Sequence, residues 1–327
     1  MHPRLPLALE SGLCLPDTSR VAVFAPRAGM DLSPLQADQC HVITGNRPDF
    51  EDFEARGFDC GVVPEGRYGA ALIEIPRAKA EARALIALAA SVTDGPVLVD
   101  GTKTDGIESA LKEMRKRTAV SGPINKAHGK LFWFDSAVNL ADWMPSGPAA
   151  IEAGFVTAPG VFSADGIDPA SRYLADHLPQ QIGAHVVDLG AGWGYLSARA
   201  LERDNIARID LVEASHAALE CARQNVIDAR AQFHWADALH WEPDARPDAV
   251  IMNPPFHTGR SADPKLGTAF IAAAARLLKP QGQLWMVANR HLPYERHLAE
   301  LFAETNEIAG DNKFKLLHAR RPARQRR

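Results

Sequence analysis

The sequence predicts an α/β protein made of two tandem doubly wound domains, and three observations carry that prediction. Strand-like and helix-like segments alternate through the second half of the chain. The first half repeats the rhythm with weaker signals. Between them lies MPSGPAAIEAGFVTAPG, a Pro-, Gly- and Ala-rich stretch that places the boundary near residue 150, giving domains 1–150 and 151–327. At 327 residues there is chain enough for two full cores.

In the second half, HVVDLG is a β-branched run ending in glycine, and YLSARALERD continues at helical spacing. ARIDLVEAS and HAALECARQNVIDA read as the next strand and helix, AQFHWADA as a shorter strand and PDAVIMNPPF as a fourth. GTAFIAAAARLLKPQG is a helix closed by Pro and Gly, QLWMVAN a fifth strand and YERHLAELFAE a last helix. Strands separated by helices require right-handed crossovers, hence a parallel sheet covered on both faces. In the first half VAVFAP, CHVIT, CGVVPE, AALIEIP, GPVLVDG and KLFWFD read as strands. RAKAEARALIALAASV and IESALKEMRKR read as helices. AALIEIPRAKAEARALIALAA runs strand, Pro, helix, as does the region around NPPF. The halves therefore read as two copies of one architecture, one of which has lost its chemistry.

Composition excludes several classes. Hydrophobic residues make up 46% and charged residues 23%, as in soluble globular proteins. No apolar run approaches 18 residues, so no membrane span is expected. The opening MHPRLPLALESGLCLPDTSR has only a short apolar patch broken by Pro and Glu, and is not expected to be a secretory signal. The four cysteines lack any C-x-x-C pair, which points to free thiols in a reducing cytoplasm and to no metal site. The net charge of −4 hides two basic clusters. Residues 103–130 hold seven Lys/Arg against three acids, and seven more follow from Lys313 with no acid at all. Such clusters track phosphates or merely solvate a helix face and a tail.

The chemistry concentrates at predicted strand ends. VVDLGAGWG places Asp188 before Gly190, Gly192 and Gly194, in a tight strand-to-helix turn that lets a ligand approach the backbone. A dinucleotide site wants G-x-G-x-x-G, whose third glycine would fall at Tyr195, so the spacing is not of that kind. Glu213 closes the second strand and can accept both hydroxyls of a ribose; Asp237 follows the third and can accept from an adenine amino group. Each acid alone is more often a helix cap or a solvated loop residue. Three at successive strand ends converge on the carboxyl edge of the sheet, where ligands of parallel sheets bind.

Together VVDLGAGWGYLS, LVEAS, ADA and NPPF resemble the successive motifs of class I S-adenosylmethionine-dependent methyltransferases. PGVFSADGID, NPPFHTG, VANRHLPYE and FKLLHARR narrow the resemblance to the ribosomal RNA small-subunit methyltransferase C family, over nearly all of residues 159–320. Over residues 1–150 it rests on element order and TKTDGIESALK. The resemblance implies two tandem Rossmann-like class I methyltransferase domains, the N-terminal one degenerate. It implies methylation of the exocyclic N2 of guanine in 16S rRNA, naked or in the small ribosomal subunit, with S-adenosylmethionine as cofactor. It assigns Asp188, Gly190 and Gly192 to the methionine end of the cofactor, Glu213 to the ribose and Asp237 to the adenine. Phe162 and Asp165 would close over it. Trp193 departs from the family, which commonly has smaller residues between the glycines. A cytoplasmic monomer with no metal is expected.

That frame explains IMNPPFHTGR. Pro cannot donate to a sheet ladder, so the strand must stop at Asn253. An exocyclic aromatic amine is a poor nucleophile because its lone pair is delocalised. If Asn253 Oδ1 and the Pro254 carbonyl each accept one amine hydrogen, the nitrogen can pyramidalise and aim its lone pair, and the stiff Pro-Pro turn limits reorganisation. Phe256 offers a flat face for a base drawn from its stack. Asn253, Pro254 and Phe256 are thus the expected catalytic residues, with Asn253 also beside the cofactor; His257 has at most a positioning role. Competing readings keep the chemistry and change the acceptor: large-subunit rRNA guanine, adenine N6, or a glutamine amide. A non-catalytic RNA-binding protein that retains the fold is a third class.

Overall fold

A computed structural model describes residues 3–16, 19–144, 147–255 and 264–323. The chain divides into two compact units, Met1–Gly147 and Pro148–Arg327.

The first unit runs α1 (Leu5–Glu10), β1 (Val21–Phe24), β2 (Cys40–Ile43), α2 (Arg47–Ala55), β3 (Asp59–Gly61), β4 (Ala70–Glu74) and α3 (Lys79–Val92). β5 (Pro96–Thr102), α4 (Ile107–Met114), β6 (Ser121–Lys126) and β7 (Gly129–Asp135) complete it. Its seven strands lie in the order β3-β2-β1-β4-β5-β7-β6.

The second unit opens with a small antiparallel pair, β8 (Ala149–Ala150) and β9 (Val156–Thr157), then α5 (Pro169–His177). The main sheet and its helices follow as β10 (His185–Leu189), α6 (Tyr195–Ala200), β11 (Arg208–Glu213), α7 (His216–Asn225), β12 (Ala231–Trp235) and β13 (Ala249–Met252). Last come α8 (Pro264–Leu277), β14 (Gln283–Asn289), α9 (Glu295–Leu301), β15 (Phe302–Gly310) and β16 (Phe314–Pro322). The strand order is β12-β11-β10-β13-β14-β16-β15, the same pattern as in the first unit.

Side chains alternate faces along each strand. Val186, Ile251 and Val287 join one buried layer, while Val187, Val250, Met252 and Met286 join the layer on the opposite face. Both faces are covered, so central strands such as β13 are apolar at every position. Each fully buried side chain of this kind stabilises the fold by about 1.5–3 kcal/mol.

The sheets are mixed, not wholly parallel as the alternation predicts. β14 pairs antiparallel with β16, and β16 with β15; β5, β7 and β6 repeat the arrangement. The last predicted helix ends at Leu301, and its final FAE belongs to β15. Pairing with β16 overrides the local helical preference there. The basic run from Lys313 is largely strand. Lys315 is buried against Glu295, and Arg320 and Arg321 lie 4.0 and 2.5 Å from Glu304. Arg324, Arg326 and Arg327 fall outside the described residues. Among the described residues no helix is long and apolar enough to cross a membrane, and no group of three or more potential ligands could hold a metal ion.

Candidate active site

The glycine turn follows β10. Gly190 and Ala191 donate their backbone N–H groups to the Val212 carbonyl, at 2.9 and 3.1 Å, which ties the turn to the end of β11. Gly192 has φ +56° and open space where a Cβ would stand. Its N–H donates to Glu213 Oε2 at 2.8 Å, and Ser215 N–H donates to Oε1 at 2.7 Å. Gly194, at φ +89°, presses on α7: a Cβ there would lie 2.9 Å from Val226 Cγ2. Two separate demands, backbone conformation and close helix approach, thus fix glycine at neighbouring positions.

Asp188 is fully buried. Ser197 Oγ donates to its Oδ2 at 2.7 Å, and Oδ1 has no partner among the described residues. Burial pushes its carboxyl up to about 7; the Ser197 hydroxyl opposes that shift and Glu213 adds to it. Glu213 is also raised, by burial, against the pull of the Ser215, Gly192 and Ala214 N–H groups. A buried carboxyl with an orphaned oxygen, raised further by a half-buried second carboxyl, forms an acceptor set suited to a cation. A sulfonium cofactor with an ammonium group fits them. Each Glu213 oxygen also keeps a second lone pair for a hydroxyl.

A narrow cavity of about 40 Å³ joins the glycine turn to the end of β13. Gly190, Gly192 and Trp193 line it with Phe162, Asp168, Ser171 and Asn253. Asn253 Nδ2 donates to Asp168 Oδ2 and to Ser171 Oγ, each at 2.9 Å. A carboxylate only accepts, so the amide can face Asp168 in one sense alone. Asn253 Oδ1 is left as an acceptor with no described partner. Asp168 caps α5, taking the Ser171 N–H at 2.8 Å, so one carboxylate both starts the helix and orients the amide.

The structure brings Phe162, Gly190, Gly192 and Asn253 to one cavity, with Asp188 buried in the adjoining strand. Pro254 is buried directly beyond Asn253. Asp165 is exposed and does not line the cavity. Asp237 is turned into its own loop, accepting from Leu239 N–H at 2.9 Å and lying 2.7 Å from His240 Nδ1. Phe256 and His257 lie outside the described residues. Sequence reasoning passed over Asp168 and Ser171, although D-P-x-S before a helix is a capping signal. Trp193 is buried rather than crowding the turn. It packs on Phe155 and Tyr195, and its Nε1 donates to the Phe162 carbonyl at 3.1 Å.

Sheet register shows what the first unit lacks. Val21 pairs with Ala70 and Cys40 as Val186 pairs with Ala249, and Val187 with Asp210 as Ala22 with His41. By that register Val23 stands where Asp188 does, Thr44 where Glu213 does, and Glu74-Ile75-Pro76 where Asn253-Pro254-Pro255 do. Three residues past the last paired position of β3 is Pro64, where the second unit has Asp237. Glu74 brings a carboxyl where the second unit has an amide, and burial and the neighbouring Asp100 raise its pKa, favouring the protonated form, which carries a donor O–H.

A seven-stranded sheet in this order, with a glycine turn after β10 and N-P-P closing β13, defines a class I methyltransferase. Residues 152–318, just over half of the chain, match the family described as the Methyltransferase small domain. The ribosomal RNA small subunit methyltransferase C of Shewanella sp. (strain MR-4) is 30% identical over 265 residues, 77% of each chain. The ribosomal RNA large subunit methyltransferase G of Shewanella amazonensis is 39% identical over 165 residues, 49% of this chain and 43% of that one. Among solved structures, the T. thermophilus 16S rRNA N2 G1207 methyltransferase, in complex with AdoMet and guanosine, is 25% identical. It superposes with a TM-score of 0.77 over 94% of this chain and 90% of that chain. The chain belongs to the Methyltransferase small domain family and to the ribosomal RNA small subunit methyltransferase C family.

Proposed function

We propose that this enzyme methylates the exocyclic N2 of a guanine in 16S ribosomal RNA, with S-adenosylmethionine as the methyl donor. The observation that carries the chemistry is the locked amide: Asn253 presents Oδ1 because Asp168 and Ser171 hold its Nδ2. The acceptor is supported by relatives that run through both units. An alignment of 265 residues is longer than the second unit, whereas the large-subunit enzyme matches a stretch no longer than one unit. Adenine-N6 and glutamine-amide acceptors would use the same strand end, but the relatives spanning this chain are named for ribosomal RNA.

S-adenosylmethionine supplies a methyl group already activated on a sulfonium. Asp188 and Glu213 would hold its cationic and ribose parts, with Gly190 and Gly192 against the methionine end. Asp237 would take the adenine once its loop bonds give way, and Phe162 lines the wall that would have to yield, since a 40 Å³ cavity admits only a few waters. Asn253 Oδ1 and the Pro254 carbonyl would accept the two hydrogens of the guanine amine, leaving its nitrogen free to pyramidalise and aim its lone pair. These acceptors are fixed before substrate arrives, which lowers the reorganisation needed. Phe256 supplies the stacking face for the flipped base.

The first domain serves RNA. Lys112, Arg115, Lys116 and Lys126 are exposed there. Arg117 is not available in the same way: Asp142 holds its guanidinium at 2.8 and 2.6 Å over the Trp143 ring. The enzyme acts as a cytoplasmic monomer. Mass mapping of methylated nucleosides in 16S rRNA from cells lacking the protein tests the proposal: one N2-methylguanine should vanish, and return with the wild-type gene. Loss of N6-methyladenine, or of a site in the large subunit, would refute it.

A further inference from the structure

The first unit has a cleft of its own, about 330 Å³, between the start of α4 and the β6–β7 hairpin. That volume is at the lower end of ligand pockets, about 300–1,000 Å³. Lys103, Lys126 and Lys130 line it with Asn125 and His128; the single acid is Glu108. In a chain of net charge −4 this is a local excess of cations. The sheet register gathers them. Thr102, just before Lys103, pairs with Gly129; Lys126 pairs with Gly129 from the other side, and Asn125 with Lys130. Three adjacent strands thus deliver three ammonium groups to the carboxyl edge of the sheet.

The cleft has a rigid seat. Arg4 is 4% exposed and gripped by Asp100, which is 1% exposed, with Nη2 donating to Oδ2 at 2.7 Å. Arg4 Nη1 donates to the Lys126 carbonyl at 2.9 Å, which pins the hairpin turn. Any side chain at Gly129 would strike that guanidinium and the Gly101 carbonyl. The turn residues Ala127 and His128 adopt φ +50° and +55°, which closes the hairpin within two residues. Lys103 and Lys126 make no ion pair with a described residue. Lys130 lies 3.2 Å from Glu108, an exposed carboxylate that competes weakly for it. No Phe, Tyr or Trp lines the cleft, and His128 is its single ring among the lining residues. Three clustered ammonium groups beside a single small ring suit a charged backbone better than a run of stacked bases.

We propose that this cleft seats backbone phosphates of the RNA substrate, with Lys103, Lys126 and Lys130 as the phosphate-binding side chains. The proposal rests on the reading of the substrate as RNA. The full-length triple variant Lys103→Gln, Lys126→Gln, Lys130→Gln is titrated with transcribed 16S rRNA and with a scrambled RNA of equal length, over a range of salt. S-adenosylmethionine affinity, measured by calorimetry, should stay at the wild-type value and report an intact second domain. RNA affinity should fall about equally for both RNAs. The slope of log affinity against log salt should flatten by about 0.7–0.9 for each phosphate no longer neutralised. The matching Lys→Arg triple, which keeps the charges, should restore both. Unchanged RNA affinity and slope in the Gln triple overturn the cleft, as does a wild-type protein that binds no RNA. Weakened binding in an enzyme whose product proves not to be N2-methylguanine supports the cleft while refuting the proposed reaction.

Discussion

Asn253 donates its Nδ2 to Asp168 Oδ2 at 2.9 Å, across 85 residues of chain. The strand end that carries the amide and the helix cap that aims it come from opposite flanks of the glycine turn. Asp168→Ala should therefore lower kcat about 10–100-fold, less than the roughly 10²–10³ for losing a preorganised polar partner outright, with little change in S-adenosylmethionine affinity. Asp168→Asn keeps an acceptor oxygen and should recover most of the rate. A rate equally low in both variants would tie Asp168 to charge rather than to orientation.

Asn253→Ala removes the acceptor itself. Turnover is expected to drop by roughly 10²–10³, while calorimetric cofactor affinity stays close to that of the wild type. Wild-type turnover in this variant would end the amine-orienting role.

Glu213→Ala should weaken S-adenosylmethionine binding by about 1.5–3 kcal/mol, the range for hydrogen bonds to a charged group. Because Val23, Thr44 and Pro64 replace the acids in the first unit, titration of the wild type should give one site per chain, and this substitution should affect it. A second site unaffected by Glu213→Ala would contradict the register comparison.

Asp188 gives a pH signature. Its folded-state carboxyl titrates near about 7 against an ordinary value of 3.8, because burial penalises the charged form. A carboxyl raised on folding contributes stability that is fully present below its unfolded value and lost as pH rises through about 7. Thermal melts of the cofactor-free enzyme should show the wild type losing ground to Asp188→Asn between about pH 4 and 7. Parallel pH profiles for the two proteins would rule this out.

Gly194→Ala tests the turn. A left-handed backbone at a non-glycine residue, with the new Cβ 2.9 Å from Val226 Cγ2, should cost about 1–3 kcal/mol in urea unfolding. An unchanged midpoint would mean that α7 yields freely.

The glycine turn, Asp188, Glu213 and the N-P-P strand end were legible in the sequence because each couples a backbone demand to a short motif. Asp168 and Ser171 were not, since the hydrogen bonds joining them to Asn253 span more than 80 residues. The antiparallel ends of both sheets were missed for a related reason. FAE continues a helical pattern locally, and only pairing with β16 makes it strand. Asp237 read as an open acceptor, yet the turn that follows it uses both of its oxygens. Arg117 counts among the seven cations of residues 103–130, but its partner Asp142 lies 25 residues away and outside that run.

The indole of Trp193 sits in the wall of the cavity and holds the Phe162 carbonyl. A fluorophore built into the wall of the proposed cofactor cavity is an intrinsic optical reporter. Its emission should shift when the wall moves, and Trp193→Phe would identify its share among the six tryptophans. Occupancy can then be followed in real time, without label or isotope, on the same enzyme that turns over RNA.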